Sequence, residues 1–163
     1  VGASNYSAAR LREALEISAR TGLPRYESVQ PEYNLMERSV YEGELQRACV
    51  ENEVGVINFF SLASGFLSGK YRSRTDVEGR ARGSRVEKYM DERGMRILAA
   101  LDDAAREHGV KPATIALAWL MTRPGITAPI ASATSVEQLQ DLVAATRITL
   151  SRDATARLDQ ASA

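Results

Sequence analysis

Glycine, serine and lysine crowd one short stretch, Leu62-Ala63-Ser64-Gly65-Phe66-Leu67-Ser68-Gly69-Lys70-Tyr71. Gly65 and Gly69 permit φ > 0 and close backbone approach, while free N–H groups, hydroxyls and the Lys70 ammonium suit a pyrophosphate. The spacing is not that of the Walker loop, which needs a Lys-Ser or Lys-Thr pair. A mobile surface loop has the same composition. Polar residues also follow each of the other apolar runs: Ser4-Asn5, Gln30, and Ser132, Thr134 and Ser135. If those runs are parallel strands, all these positions share one rim, the C-terminal edge, where binding sites are built. Each taken alone can instead cap the helix that follows, and for Ser135 the cap is the favoured reading.

The elements that would position them alternate. A short apolar start ends in Ser4-Asn5, Ser7 is placed to cap a helix, and Leu11, Ala14, Leu15 and Ile17 give that helix its apolar face up to Thr21-Gly22. Residues 26–30 have strand composition, 41–53 return to helical spacing, and 54–60 are an apolar run expected to be a strand buried on both faces. The loop from about 63 to 85 is long for a compact domain, which marks it as functional or disordered. Its Arg72, Arg74, Arg80, Arg82 and Arg85, partly offset by Asp76 and Glu78, read as a solvated run that could also favour an anion. Residues 92–108 form an amphipathic helix despite Gly94, closed by Gly109. Pro112 opens another helix to Thr122, residues 126–131 make a last strand, 135–145 a helix, and Ser151 caps a terminal helix. Strands and helices alternating at these lengths specify parallel βαβ units. Four units make a small doubly wound sheet or half of an eight-stranded barrel. No GxGxxG follows any strand, so the doubly wound dinucleotide fold has little support.

Bulk properties exclude several classes. The 163 residues are 44% hydrophobic and 26% charged, with 21 basic and 21 acidic side chains, so no net field attracts nucleic acid or an anionic membrane. No apolar run approaches a bilayer span. The single cysteine, Cys49, rules out an internal disulfide framework and fits a reducing, cytoplasmic setting; its helical position reads as buried. The chain starts Val1-Gly2 without methionine or signal pattern, and the expectation is that something precedes it in the gene.

Taken in order, the motifs resemble the aldo-keto reductase family. Gly2-Ala3-Ser4-Asn5-Tyr6-Ser7 and Gln30-Pro31-Glu32-Tyr33-Asn34-Leu35 are similar to two successive family signatures. Gly55-Val56-Ile57 leading into the 62–71 segment resembles a third. Ile115-Ala116-Leu117-Ala118-Trp119-Leu120 resembles the apolar helix before the last strand, with Trp119 a packing residue. Pro129-Ile130-Ala131-Ser132-Ala133-Thr134-Ser135-Val136-Glu137-Gln138-Leu139 resembles the last strand and adenosine-end motif. The resemblance covers essentially the whole chain.

It implies a fold and a set of roles. The fold is the second half of a (β/α)8 barrel, strands 5 to 8, with residues 1–163 forming its cofactor-binding half. Ser4, Asn5 and Gln30 match residues that hold a nicotinamide carboxamide. Phe59 stands where the family has a stacking tyrosine and keeps the ring without the hydroxyl. Leu62, Ser64, Gly65, Leu67 and Lys70 match the loop over the pyrophosphate. Ser132, Thr134, Gln138 and Asp141 match positions near the adenosine; Thr134 replaces a base that often meets a 2′-phosphate, and Leu142 replaces a frequent asparagine. The implied cofactor is NADP, with NAD also open. The family's catalytic Asp, Tyr, Lys and His would precede residue 1; His108 is read as a solvent-exposed helix end. This stretch alone is therefore expected to be inactive and, with open sheet edges, to pair or aggregate. The implied partners are the N-terminal half of the barrel and a small carbonyl substrate. A non-catalytic regulatory subunit of the same fold that binds the cofactor is the alternative, and a phosphate-binding barrel lyase a third reading.

Overall fold

Ser7 ends the first strand's exit loop and starts the first helix, its hydroxyl accepting from the Arg10 N–H at 3.3 Å. That is the pattern the sequence predicts, and it recurs: Ser135 accepts from Gln138 N and Ser151 from Ala154 N at later helix starts. The computed structural model describes residues 1–79 and 83–163, apart from the side chain of Arg74. Arg80 and Arg82 of the arginine run lie outside the described residues.

Strands β1 (Gly2–Ser4), β2 (Ser28–Gln30) and β3 (Gly55–Val56) form one parallel sheet in that order. Helices α1 (Ala8–Thr21) and α2 (Glu44–Glu51) connect them. After β3 come a 3-10 turn (Ala63–Ser68), a second short one (Arg74–Asp76) and α3 (Gly83–Glu87). Then follow α4 (Glu92–His108), α5 (Pro112–Met121), α6 (Val136–Ala144) and α7 (Arg152–Ala161). Among the described residues, no helix is long and apolar enough to cross a membrane.

The core lies on the helical side of the sheet. Ala3, Val29 and Val56 are in register across the three strands and all buried, because parallel neighbours at matched positions point the same way. α5 is buried from Thr114 through Leu120, packed against α4, α6 and the 63–68 turn. Its Trp119 is fully buried as expected of a packing residue, touching Tyr33 and flanked by Arg38 and Arg123, with its N–H donating to Asp159 at 2.8 Å. Each such large apolar side chain contributes about 1.5–3 kcal/mol by burial. Cys49 is buried, as predicted.

Three expectations need correction. Residues 54–60 are not covered on both faces: Val54, Val56 and Asn58 are buried, whereas Gly55, Ile57 and Phe59 are half-exposed. Helices cover only one side of the sheet among the described residues, so alternate positions stay open. The ladder in that run is also short, two residues of β3 plus a bridge from Phe59 to Glu32. Residues 126–131 run beside β3 without forming a strand. Ile126 bridges Val56, and Thr127 and Ile130 donate to the Val56 and Asn58 carbonyls, but Pro129 has no N–H to extend the ladder. Finally, the helix expected over 41–53 starts only at Glu44: Gly43 has φ 100°, and Tyr41 turns inward to donate to the Pro124 carbonyl at 2.7 Å.

Candidate functional site

Because the strands are parallel, their C-terminal ends share one edge. Ser4 pairs in register with Gln30, and Asn5 donates its N–H to the Gln30 carbonyl at 3.2 Å. Asn5 has φ 55°, a left-handed turn that asparagine tolerates better than most residues. The chain beyond β2 is tied to the chain beyond β3 by Phe59 N to Pro31 O at 3.0 Å and Tyr33 N to Phe59 O at 3.4 Å. Ser4, Asn5, Gln30 and Phe59 are thereby brought to one edge. Ser7 performs the capping that Ser4 could have performed. Among the described residues the side chains of Ser4, Asn5 and Gln30 make no hydrogen bond, which leaves a hydroxyl and two amides available to a ligand. The Phe59 ring is half-exposed and meets Phe60 at 5.2 Å, edge to face.

The geometry adds Glu32 to that edge. It bridges Phe59, is partly buried, and has no hydrogen bond or ion pair among the described residues. Burial first, then the neighbouring Glu37, pushes its carboxyl above the usual range, while Lys88 opposes them.

The 62–70 loop is a tight turn with backbone strain. Phe60, Ala63 and Ser64 all have positive φ (51°, 48°, 58°), and Gly65 follows at 98°. Non-glycine residues persist there only when surroundings over-determine them. The free N–H groups expected of this loop are partly corrected: those of Gly65 and Leu67 donate to Leu62 O, and that of Gly69 to Phe66 O. The half-buried Ser64, its hydroxyl without a hydrogen bond among the described residues, and the exposed Lys70 are left for a ligand. Lys70 is exposed, rests 4.9 Å from the Tyr71 ring centroid, and has no ion pair among the described residues. Leu62 is half-buried, whereas Leu67 is fully buried and points into the core rather than to the edge.

At the other end, Ser132 is exposed, while Thr134 and Gln138 are occupied with each other. The Thr134 N–H and hydroxyl both donate to Gln138 Oε1, at 2.9 and 3.1 Å, closing the start of α6 like a capping box. Asp141 pairs with Lys111 at 2.8 Å, and Lys111 also meets Glu137 at 2.8 Å. The two carboxylates raise the Lys111 ammonium above its usual range, Asp141 first. Of these three predicted contacts, Asp141 thus ties α6 to the start of α5, while Thr134 and Gln138 close the start of α6 itself.

Two residues escaped sequence reading. Asn34 and Asn58 are completely buried. Asn34 Nδ2 donates to the strained Phe60 carbonyl at 3.0 Å, while its Oδ1 accepts from Met36 N and Glu37 N. Asn58 Nδ2 donates to Tyr33 O at 2.7 Å and Ser61 Oγ at 3.0 Å; its Oδ1 is buried without a partner. Together they lock the exits of β2 and β3 to each other. Their signal was an asparagine at a core-facing step of an apolar run. Two surface depressions lie elsewhere. One of about 580 Å³ is lined by Arg12, Arg25 and Asn52 near the strand starts, another of about 480 Å³ by Arg38, Arg93 and Ser162.

The sequence model of the Aldo/keto reductase family matches residues 1–163, its whole length. The chain belongs to the aldo/keto reductase family. It is similar to Protein tas of Escherichia coli (strain K12), 31% identical over 162 residues, covering 98% of this chain and 46% of that protein. It is similar to L-glyceraldehyde 3-phosphate reductase of the same strain, 33% identical over 167 residues, 98% and 48% covered. An uncharacterized oxidoreductase of Mycobacterium tuberculosis (strain ATCC 25618 / H37Rv) is 39% identical over 155 residues, 92% and 45% covered. The chain spans about half the length of these curated relatives. Their shared family implies a (β/α)8 barrel; this chain is α/β, with a small three-stranded parallel sheet.

Proposed function

We propose that these 163 residues are the cofactor-binding half of an NAD(P)H-dependent aldo-keto reductase, strands 5 to 8 of its barrel. The other half, with the catalytic residues, closes the barrel by pairing with the edges of this sheet. The observation that carries this is the edge where Ser4, Asn5 and Gln30, whose side chains have no hydrogen bond among the described residues, sit beside the half-exposed Phe59 ring. A nicotinamide carboxamide needs both donors and acceptors, and one hydroxyl and two amides supply both. Phe59 offers the flat apolar surface on which such a ring stacks. Lys70 and Ser64 would neutralise and bind the diphosphate. Ser132 is free to meet the ribose, and Thr134, Gln138 and Asp141 could join it by exchanging their present partners.

The barrel reading has support on the open face. A Cβ on Gly2 would lie 2.6 Å from Ser28 Oγ, and one on Gly55 2.7 Å from Thr127 Oγ1. On that face Gly2 and Gly55 leave room for the Ser28 and Thr127 hydroxyls, and neither could be replaced by a larger residue without displacing them. Bound at the C-terminal edge of the strands, the cofactor would supply a hydride for a small carbonyl substrate. The residues of this chain hold it, set the orientation of its ring and exclude water from one side. A reducing, cytoplasmic setting suits the lone thiol.

The test uses the full-length gene product. NADPH and NADH are titrated by fluorescence, and oxidation of the bound reductant is followed with aldehydes and ketones. Saturable binding and carbonyl-dependent oxidation are expected. No binding would overturn the reading, and binding without oxidation by any carbonyl would replace the reductase with a cofactor-sensing regulatory subunit.

A further inference from the structure

The 62–70 loop ends at Gly69, and a single arginine two residues beyond Lys70 holds that end in place. Arg72 Nε donates to the Gly69 carbonyl at 2.6 Å. Its Nη1 and Nη2 donate to the two carboxylate oxygens of Asp102 on α4, both at 2.7 Å, a bidentate pair that fixes orientation as well as distance. The Arg72 N–H donates to Asp76 Oδ2 at 2.7 Å, as does that of Ser73 at 2.8 Å, so the chain after the loop is held too. Gly69 is fitted to this arrangement: at φ 76°, a Cβ there would lie 2.6 Å from Arg72 Nη2 and 3.3 Å from Pro112. The guanidinium thus joins the loop end to α4, and the Arg72 backbone N–H ties on the next turn.

The neighbour of that anchor is Lys70. Its backbone follows the clamped Gly69, yet its ammonium is exposed and lacks an ion pair among the described residues. Arg72, two residues on, takes both oxygens of Asp102. The arrangement keeps one cation fixed in structural duty and leaves the next one free.

We infer that Arg72 and Asp102 are a positioning pair that presets the 62–70 loop and reserves Lys70 for the diphosphate of a dinucleotide. This rests on the reductase reading above. Arg72 is not a ligand contact in this view; it acts through Gly69 and Lys70. In the full-length protein, Arg72→Gln and Asp102→Asn should each raise the NADPH Kd about three- to fivefold, mainly through faster dissociation, as expected for an exposed bidentate pair. The charge-swapped double variant Arg72→Asp/Asp102→Arg restores the link to α4 but not the bond to the Gly69 carbonyl, and should recover part of the loss. Fluorescence titration gives Kd, stopped flow gives the off-rate, and a thermal melt of each variant accompanies them. Single variants that melt lower but bind NADPH like the wild type would overturn the inference and leave the pair a structural staple. Equal losses in the single variants and the swap would overturn it as well. Wild-type protein that binds no NADPH would overturn the reductase reading and the inference with it.

Discussion

Replacing Gly94 by alanine sets helix propensity against tertiary packing, and the two predict opposite signs. Gly94 lies in the first turn of α4, its N–H capped by Asp91 at 2.7 Å. Alanine is better than glycine in a helix by about 1 kcal/mol, so by propensity alone the variant gains stability. The structure places the new methyl group where the Tyr89 carbonyl oxygen already lies, and 3.0 Å from Phe66 Cζ. The first obstacle is backbone, which cannot rotate away as a side chain would. Overpacking of this kind costs about 1–3 kcal/mol, and a rigid neighbour puts it at the upper end. The net is a loss of about 2 kcal/mol. Phe66 and Tyr89 stack at 5.8 Å, and Phe66 belongs to the 63–68 turn, so the displacement also reaches the loop that ends in Lys70. The assay is a thermal melt of full-length protein, with Arg96→Ala on the exposed side of the same helix as control. The expected result is a Tm lowered by several degrees for Gly94→Ala and nearly unchanged for the control. A Tm equal to or above the wild type would refute the packing argument and leave propensity in charge.

Three further outcomes follow from the same structure. Phe59→Ala should weaken NADPH binding by about 1 kcal/mol or more through loss of the stacking surface, while Phe59→Tyr binds like the wild type; equal binding by all three would remove Phe59 from the site. Burial pushes the Cys49 thiol up to about 11, so a disulfide reagent at pH 8 should react only as fast as the protein unfolds, and immediate modification of native protein would contradict its placement. Glu32 has a folded pKa above its unfolded value, so its stabilising contribution is complete below the unfolded pKa and is lost as pH rises through the folded one. Glu32→Gln should therefore raise Tm at neutral pH and lose that advantage below about pH 4, as melts across pH would show.

Much of this protein could be read before any coordinates. Helix starts at Ser7, Ser135 and Ser151 were legible because a short polar side chain ahead of an apolar stripe satisfies orphan N–H groups locally. The ends at Gly22 and Gly109 were legible because both take left-handed φ. Parallel alternation then placed Ser4, Asn5, Gln30 and Phe59 along one edge, since that depends only on chain direction. Side-chain partners were not legible. Whether Thr134 and Gln138 face a ligand or each other, whether Asp141 is free or paired with Lys111, and whether Leu67 looks outward or into the core depend on contacts far apart in sequence. The extent of the strands was equally hidden, because a ladder needs a neighbour, and residues 126–131 have β3 on one side only among the described residues.

The sequence by itself therefore determined the order of elements, their direction and the chemical types that reach the edge, all of which follow from local preference and periodicity. Only the tertiary structure decided what those groups are free to do. It buried Asn34 and Asn58 to join two loop exits, left Glu32 beside Phe59 without a partner among the described residues, and set Arg72 on Asp102. Propensity is a property of neighbours along the chain, whereas hydrogen-bond satisfaction and steric room are properties of neighbours in space. At Gly94 the two disagree, and space has the stronger claim.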